Sequence, residues 1–155
     1  MGLALRAAGA GLRTLLIQFM KESFTYSELI SLPKLSKWIT VERYGNDAHV
    51  LEKRQPSSDE RAAAQHGLER AEEAMKGGEF DIVIMDEICV AVHFGLLAEE
   101  EVTRLLDPRP ENVELILTGR YCPEAWIEHA DLVTEMCEVK HYFQQGVTSR
   151  KGIDA

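Results

Sequence analysis

The sequence predicts an α/β fold of three layers, in which a mostly parallel sheet carries helices on both faces. Residues 80–85 read FDIVIM, and five of these six residues are apolar and rich in β-branched types. This pattern is typical of a strand that is buried on both sides. Other strand-like runs alternate with helix-like segments along the chain, and such alternation indicates parallel strands joined by crossover helices.

The composition limits the class of protein. A chain of 155 residues suits one domain with one core, which would span residues 1–155. Lys and Arg number 17 against 26 Asp and Glu, a net charge of −9, so we expect no nucleic-acid partner. The apolar runs are shorter than the ~20 residues that span a bilayer, so we expect no membrane association. The three separated cysteines form no CxxC pair, which argues against a disulfide framework or zinc knuckle and favours a reduced cytoplasm.

The first half of the chain is predicted to contain two strands and three helices. We expect helices over Met1 to Ala8 and Thr25 to Leu32, strands over Arg13 to Met20 and Trp38 to Tyr44, and a polar loop over His49 to Ser58. Pro33 should end the second helix, because the residue before a proline disfavours helical backbone. Ser58 should open the longest helix, with Arg61 in place of the Glu that completes a capping box, and Gly77-Gly78 should end it.

The second half of the chain continues the alternation. After the central strand we expect helices over Ile88 to Phe94, Glu99 to Leu106 and Pro123 to Ala130, and strands over Val113 to Thr118 and Leu132 to Val139. Pro108 and Pro110 should end the helix that precedes the Val113 strand.

Polar residues follow three of the predicted strands, at Gln18 to Glu22, Asp86-Glu87 and Thr118-Gly119-Arg120. Parallel strands end at one edge of a sheet, and ligands of open α/β sheets bind at that edge. A buried run that stops at adjacent acids resembles a Walker B strand, whose acids hold Mg²⁺ against nucleotide phosphates. Asp86 or Glu87 can supply the hard oxygen ligand, and Arg120 and Lys140 can neutralise phosphate oxygens. The sequence therefore predicts a polyphosphate site at this edge.

Each of these residues also has a structural interpretation. Asp86 and Glu87 could cap the helix that follows. Arg120 could form a salt bridge with a helix, and Lys140 with His141 could be a solvated strand end. Cys89 and His93 lie four residues apart, on one face of a helix, but two ligands make a poor zinc site, and a structural role is favoured.

Several short motifs occur in a characteristic order. They are Met1 to Gly11 with Gln18-Phe19, Asp81 to Glu87, Phe94 to Leu97, Arg109-Pro110, Leu117 to Arg120, Ala130 to Met136, Val139 to His141, Gly146-Val147 and Lys151 to Asp154. Together they resemble the ATP:corrinoid adenosyltransferase family, which has a P-loop NTPase-like fold. The resemblance covers most of the chain and is weakest between Thr25 and Ser57.

This resemblance implies a reaction in which the reduced cobalt of a corrinoid attacks the 5′ carbon of ATP and triphosphate leaves. It implies that Glu87 is the catalytic metal ligand for Mg²⁺, with Asp86 beside it, and that Arg6 lies near the nucleoside. Thr118, Arg120 and Lys140 would complete the nucleotide site. It also implies a homodimer, a flavoprotein reductant, and a place in adenosylcobalamin biosynthesis.

Two features of the family pattern are missing. A first strand and a glycine-rich GxGKGKT-like loop would precede Met1, and this sequence contains neither, so we expect the 155-residue chain to bind Mg·ATP weakly and to transfer no adenosyl group. A Gly-Phe-Thr-Trp stretch that packs on the corrinoid in many members is replaced after Gly45 by Asn46 to Val50. We expect the loop over His49 to Ser58 to become ordered when corrinoid binds.

Two alternatives to an adenosyltransferase stay open at this point. The chain could be a non-catalytic protein that binds a corrinoid or a partner, or it could be a nucleotide hydrolase. Glu87, Thr118 to Arg120 and Lys140-His141 favour the adenosyltransferase, because folding does not require this set.

Overall fold

The structure is a computed structural model that describes residues 1–21, 27–107, 109–150 and 152–153. Its helices are α1 (Gly2–Gly9), α2 (Glu28–Ser31), α3 (Ala48–Leu51), α4 (Ser58–Gly77), α5 (Ile88–His93), α6 (Glu99–Leu106) and α7 (Glu124–His129). Its strands are β1 (Thr14–Phe19), β2 (Ile39–Tyr44), β3 (Ile82–Asp86) and β4 (Glu114–Leu117). The predicted alternation of helices and strands is therefore confirmed over most of the chain.

The four strands form one parallel sheet in the order β2-β1-β3-β4. β1 and β3 are the inner strands, and both are almost continuously apolar, as the sequence pattern requires. The register places Gln18, near the end of β1, opposite Asp86, the last residue of β3. All four strands end at the same edge of the sheet, which we call the carboxyl edge. The predicted α/β fold is confirmed.

Helices cover both faces of the sheet. On one face, the alanines of α1 (Ala4, Ala7 and Ala8) pack against Leu16 and Ile84. On the other face, α4, α5, α6 and Trp126 of α7 enclose the larger core around Phe19 and Met85. Alternate residues of β1 and β3 point to opposite faces, so both strands contribute to both cores.

The longest helix, α4, packs closely against the sheet because it carries a glycine at the contact. A Cβ on Gly67 would lie 2.9 Å from the Phe19 ring and 3.0 Å from the Tyr44 ring. The helix begins with a complete capping box, in which the Ser57 hydroxyl accepts the Glu60 amide and the Glu60 carboxylate accepts the Ser57 amide. The prediction that Arg61 takes the place of the capping Glu is wrong, because the N-cap is Ser57 and not Ser58.

One other prediction in the first half needs correction. The segment predicted as a loop from His49 contains α3, and His49 is buried. The second helix ends directly before Pro33, as predicted: α2 stops at Ser31 with Leu32 as its C-cap, and a 3₁₀ turn over Leu32–Leu35 follows, where proline fits near the start because that position needs no amide donor. Thr25 and Tyr26, at the start of that predicted helix, lie outside the described residues.

The prediction of a strand over Leu132 to Val139 is wrong. These residues belong to no strand, and the side chains from 131 to 140 are all exposed. A strand needs a neighbour that accepts its backbone hydrogen bonds, and no described strand lies beside this segment. Consequently Lys140 and His141 do not stand at the end of a strand.

Within the described ranges, no helix is both long enough and apolar enough to cross a bilayer.

Candidate site at the carboxyl edge

Asp86 is the centre of a polar cluster at the carboxyl edge. Its Oδ2 accepts hydrogen bonds from Lys21 Nζ at 2.6 Å and from Gln18 Nε2 at 3.3 Å. Its Oδ1 accepts a hydrogen bond from Thr118 Oγ1 at 2.8 Å. The Asp86 side chain is 23% exposed, so the cluster lies below the surface but remains open to solvent. We call Gln18, Lys21, Asp86 and Thr118 the edge cluster.

The protonation of Asp86 is set by opposing effects. Burial acts to raise the pKa of this carboxyl, but the hydrogen bond and positive charge of Lys21, with the hydrogen bonds from Thr118 and Gln18, outweigh it and lower the pKa. Asp86 is therefore ionised at neutral pH. The negative charge of Asp86 can therefore either bind a metal cation or hold the Lys21 ammonium group in place.

Thr118 joins the ends of β3 and β4. Its hydroxyl donates to Asp86 and accepts the amide of Glu87 at 3.2 Å, and its carbonyl accepts the amide of Cys89 at 3.3 Å. Glu87 has a φ of 66°, a left-handed backbone that redirects the chain from β3 into α5. Its side chain is half-buried. Thr118 thus fixes the position of both acids that follow β3.

The donor chemistry of the edge cluster fits Mg²⁺. The carboxylate of Asp86 is joined by that of the adjacent Glu87 and by the Oε1 of the fully buried Gln18, which has no hydrogen-bond partner among the described residues. Carboxylate and amide oxygens are the hard ligands that Mg²⁺ takes, and the ion usually keeps other positions for water and phosphate oxygens. No group of three or more His, Cys, Asp or Glu side chains in the described part of the chain could hold a metal ion by itself. Phosphate oxygens and water would therefore complete the coordination.

Three of the cations predicted for the nucleotide site lie outside the edge cluster. Arg120 follows Gly119 on an exposed turn, and its guanidinium lies 5.5 Å from the centre of the Tyr121 ring. Arg6 is an exposed residue of α1, and Lys140 is exposed in the extended segment after α7. Within the described ranges, neither Arg6 nor Arg120 forms an ion pair with an acidic side chain, so the predicted salt bridge of Arg120 to a helix is not formed there.

Sequence reasoning missed the role of Lys21. It identified a polar run after β1 but did not pair any member with Asp86; the remaining member, Glu22, lies outside the described residues. The available signal was the cation that follows a buried strand, because a lysine at the carboxyl edge can reach an acid on the neighbouring strand.

Sequence reasoning also missed a second polar group next to the carboxyl edge, at His49. The side chain is 1% exposed, and neither ring nitrogen makes a hydrogen bond to a described residue. The nearest carboxylate oxygen, Glu60 Oε1, is 3.9 Å from Nδ1 and accepts a hydrogen bond from Arg54, while Glu60 Oε2 is held by Arg54 and by the Ser57 amide of the α4 cap. The ring contacts Phe94 edge-on, with centroids 6.1 Å apart. An imidazole in this state can bind a ligand that reaches it.

The family assignment follows from the whole chain. Residues 1–155 match the model of the family described as ATP:corrinoid adenosyltransferase BtuR/CobO/CobP. The chain belongs to this family. Among curated ATP:corrinoid adenosyltransferases, a corrinoid adenosyltransferase of Escherichia coli K12 is 31% identical over 158 residues, covering 99% of this chain and 76% of the relative. A corrinoid adenosyltransferase of Salmonella typhimurium, named CobA, is 31% identical over 153 residues, covering 99% of this chain and 76% of the relative.

A relative from another genus matches part of the chain. A corrinoid adenosyltransferase of Sinorhizobium is 36% identical over 94 residues, covering 60% of this chain and 44% of the relative. The predicted resemblance to the ATP:corrinoid adenosyltransferases is therefore confirmed.

Proposed function

We propose that this protein transfers the 5′-deoxyadenosyl group of ATP to the reduced cobalt of a corrinoid, with triphosphate as the leaving group. The observation that carries the proposal is the edge cluster, in a chain that matches the adenosyltransferase family over its whole length. The cobalt is the nucleophile, so the protein has little acid–base work to perform. Its tasks are to position the two substrates and to neutralise charge on the polyphosphate.

Within this proposal, the acids after β3 hold Mg²⁺. Glu87 is half-buried at the turn into α5 and is proposed as the metal ligand, with Asp86 beside it. When bound, Mg²⁺ would supply positive charge to the oxygens of the leaving triphosphate. Thr118 keeps both acids in position through its two hydrogen bonds, and Lys21 balances the charge of Asp86.

The remaining nucleotide contacts are proposed from the position, charge and exposure of four residues. Thr118 and Arg120 follow β4 at the carboxyl edge, where an open α/β sheet binds ligands. Arg6 and Lys140 are exposed and have no acidic ion-pair partner among the described residues, so their charges are available to phosphate. These four residues are proposed as the nucleotide-binding set.

We further propose a homodimer of single-domain chains, a flavoprotein that reduces the corrinoid, and a cytoplasmic location. The homodimer is supported by large apolar side chains that stand exposed after α7. They are Leu132, Met136, Val139 and Phe143. A second copy could cover these side chains.

The test is Glu87→Ala in the adenosyl-transfer reaction, with Mg·ATP and chemically reduced cobalamin as substrates. The sequence contains no glycine-rich phosphate loop, so each variant is assayed both as the 155-residue chain and with such a loop fused before Met1. In the fused form, Glu87→Ala should lower the rate by at least about 10²-fold, because a metal ligand stabilises charge on the leaving group.

Glu114→Ala is the matched control for this experiment. Glu114 is an exposed glutamate at the opposite end of β4, far along the strand from the carboxyl edge, so its loss should leave the rate unchanged. Full activity in Glu87→Ala would refute the metal role. Equal losses in both variants would mean that the rate reports overall charge and not a site.

A second function, the binding of a corrinoid without adenosyl transfer, is favoured by one specific observation, the buried side chain of His49, whose ring nitrogens make no hydrogen bond to a described residue. His49 offers an unpaired imidazole for such binding, since imidazole nitrogen is a metal ligand. Retained cobalamin binding that depends on His49, without Mg·ATP binding in the fused form, would favour this function over adenosyl transfer.

A further inference from the structure

Three aromatic rings lie together where the loop after β4 meets the end of α5. The Tyr121 ring stacks on the His93 ring, with centroids 4.0 Å apart and planes 18° from parallel. The Phe94 ring meets the His93 ring edge-on, with centroids 5.0 Å apart. Tyr121 is 54% exposed and His93 is also exposed, so the rings face solvent. We call Tyr121, His93 and Phe94 the ring cluster.

The backbone at Tyr121 is held in an unfavourable conformation. Its φ is 63°, in the left-handed region that a bulky side chain seldom adopts. Two contacts keep the loop in this place: the stack on His93, and the close approach of Gly119, where an added Cβ would lie 3.0 Å from the Cβ of Cys89. Backbone strain of this kind is concentrated at ligand sites, where it keeps a side chain in its binding position.

The ring cluster lies within reach of the edge cluster. Tyr121 follows Thr118 by three residues, and three residues of chain span at most about 11 Å. A ligand whose phosphates meet the edge cluster would therefore bring the group attached to those phosphates close to the rings.

One further group lies over the Tyr121 ring. His93 covers one face of the ring, and the guanidinium of Arg120 lies 5.5 Å from the ring centre. Among the described residues, no acidic side chain forms an ion pair with Arg120, so a cation–π contact at an exposed position is what holds it there. A flat ligand that stacks on Tyr121 can replace the guanidinium, which then becomes available to phosphate.

We propose that the ring cluster binds the purine base of the nucleotide, stacked on the face of Tyr121 that is opposite His93. The choice of a nucleotide rests on the proposed function. The base fits better than the other flat substrate, the corrinoid, because the rings follow directly from Thr118 and Arg120, which are proposed for the phosphates. The contact with His93 fixes the Tyr121 ring before the base arrives, so little ordering is needed on binding. Tyr121 is thus a binding residue and His93 a positioning residue.

The test measures the binding of adenosine to the full 155-residue chain by saturation-transfer NMR. Adenosine carries no phosphate, so its binding does not require Mg²⁺ or the edge cluster. Tyr121→Leu should weaken the affinity at least about fivefold, as expected when a base loses its aromatic partner, and Tyr121→Phe should retain it. His93→Leu should also weaken it, and His93→Phe should restore it, because a second flat ring again supports Tyr121.

Phe143→Leu is the matched control, since Phe143 is another exposed aromatic residue, 69% exposed, in the segment after α7. This change should leave adenosine affinity unaltered. Three results would overturn the inference: no adenosine binding to the wild-type chain, unchanged affinity in Tyr121→Leu, or an equal loss in Phe143→Leu.

The inference and the proposed function fail in different ways. Adenosine binding that depends on Tyr121, in a protein that transfers no adenosyl group even with the fused phosphate loop, would keep the base site and refute the proposed function. Adenosyl transfer with an unchanged KM for ATP in Tyr121→Leu would do the reverse.

Discussion

The edge cluster and the segment over residues 130–150 use similar residue types but differ in how those residues are held. Asp86 is 23% exposed and accepts hydrogen bonds from three side chains that come from two distant parts of the chain. Asp131 is 92% exposed and meets a single partner, Arg109, at 3.4 Å. Both are ion pairs of an aspartate with a cation, yet only the first is fixed by neighbouring strands.

The difference shows what positions a polar group in this fold. The register of β1 and β3 places Gln18 beside Asp86, and the pairing of β3 with β4 brings Thr118 to the same point. The later segment has no strand beside it in the described structure, so its side chains face solvent. Backbone pairing, more than residue type, determines which of the predicted site residues meet.

The largest expected effect comes from breaking the Asp86 ion pair. Asp86→Asn should lower the free energy of unfolding by about 2 kcal/mol, because the partly buried Lys21 loses the negative charge of Asp86; full burial would raise the cost to about 3–5 kcal/mol. The matched change, Asp131→Asn, should cost less than about 0.5 kcal/mol, as expected for an exposed pair. Urea denaturation of both variants measures the difference. Similar losses would show that the two ion pairs are equivalent.

Acidification should remove the same contribution without a mutation. The pKa of Asp86 is lowered in the folded protein, so the unfolded chain takes up the proton more readily. The ionised Asp86 therefore contributes its full stabilisation above pH 3.8, the ordinary pKa of this carboxyl. The contribution is lost as the pH falls through the lower pKa of Asp86 in the folded protein. The gap in urea midpoint between wild type and Asp86→Asn should narrow below that pH. A gap that stays constant in acid would contradict the assigned ion pair.

A smaller effect is expected from the hydroxyl that joins β3 to β4. Thr118→Val keeps the shape of the side chain but removes its hydrogen bonds with Asp86 and the Glu87 amide, which should cost about 1 kcal/mol. Thr134→Val, at an exposed position of the later segment, should leave stability unchanged. Thermal or urea unfolding of the two variants gives the comparison. Equal changes in unfolding free energy in the two variants would show that the Thr118 hydroxyl does not stabilise the fold.

The smallest effect is expected from polar changes in the exposed segment. Met136 is 93% exposed in a single chain, so at a protein concentration at which the chain is monomeric Met136→Ser should alter the unfolding free energy by less than about 0.5 kcal/mol. The same change in Met85, which is fully buried in β3, should be severely destabilising by contrast. A large loss in Met136→Ser would show that this residue is covered in solution, and sedimentation of the two forms would then report whether a second copy covers it.

The sequence could predict the inner strands because their burial leaves a nearly continuous apolar pattern. β1 and β3 were located within a residue or two of their ends, and the shared carboxyl edge followed from parallel pairing. The partners of Asp86 could not be named, since a polar run after a strand does not reveal which side chain reaches across. Strand order, which decides that contact, depends on packing between distant segments.

The errors have a common physical origin. Leu132 to Val139 has the composition of a strand, but composition reports only that a segment tolerates extended backbone. To become a strand, the segment must also pair with the free edge of a neighbouring strand, and the local sequence does not show whether such an edge is present. The N-cap of α4 was misplaced by one residue, and that shift was enough to hide the capping pair of Ser57 and Glu60.

The glycine at the centre of α4 has a consequence for substitutions far from any ligand. Because the rings of Phe19 and Tyr44 fill the space beside Gly67, even an added methyl group must displace either the helix or the ends of β1 and β2. Phe19 is the neighbour of Gln18 in β1, so the displacement reaches the edge cluster through one peptide unit. The packing of the two rings therefore limits which residues can replace Gly67, although this face of α4 touches no substrate.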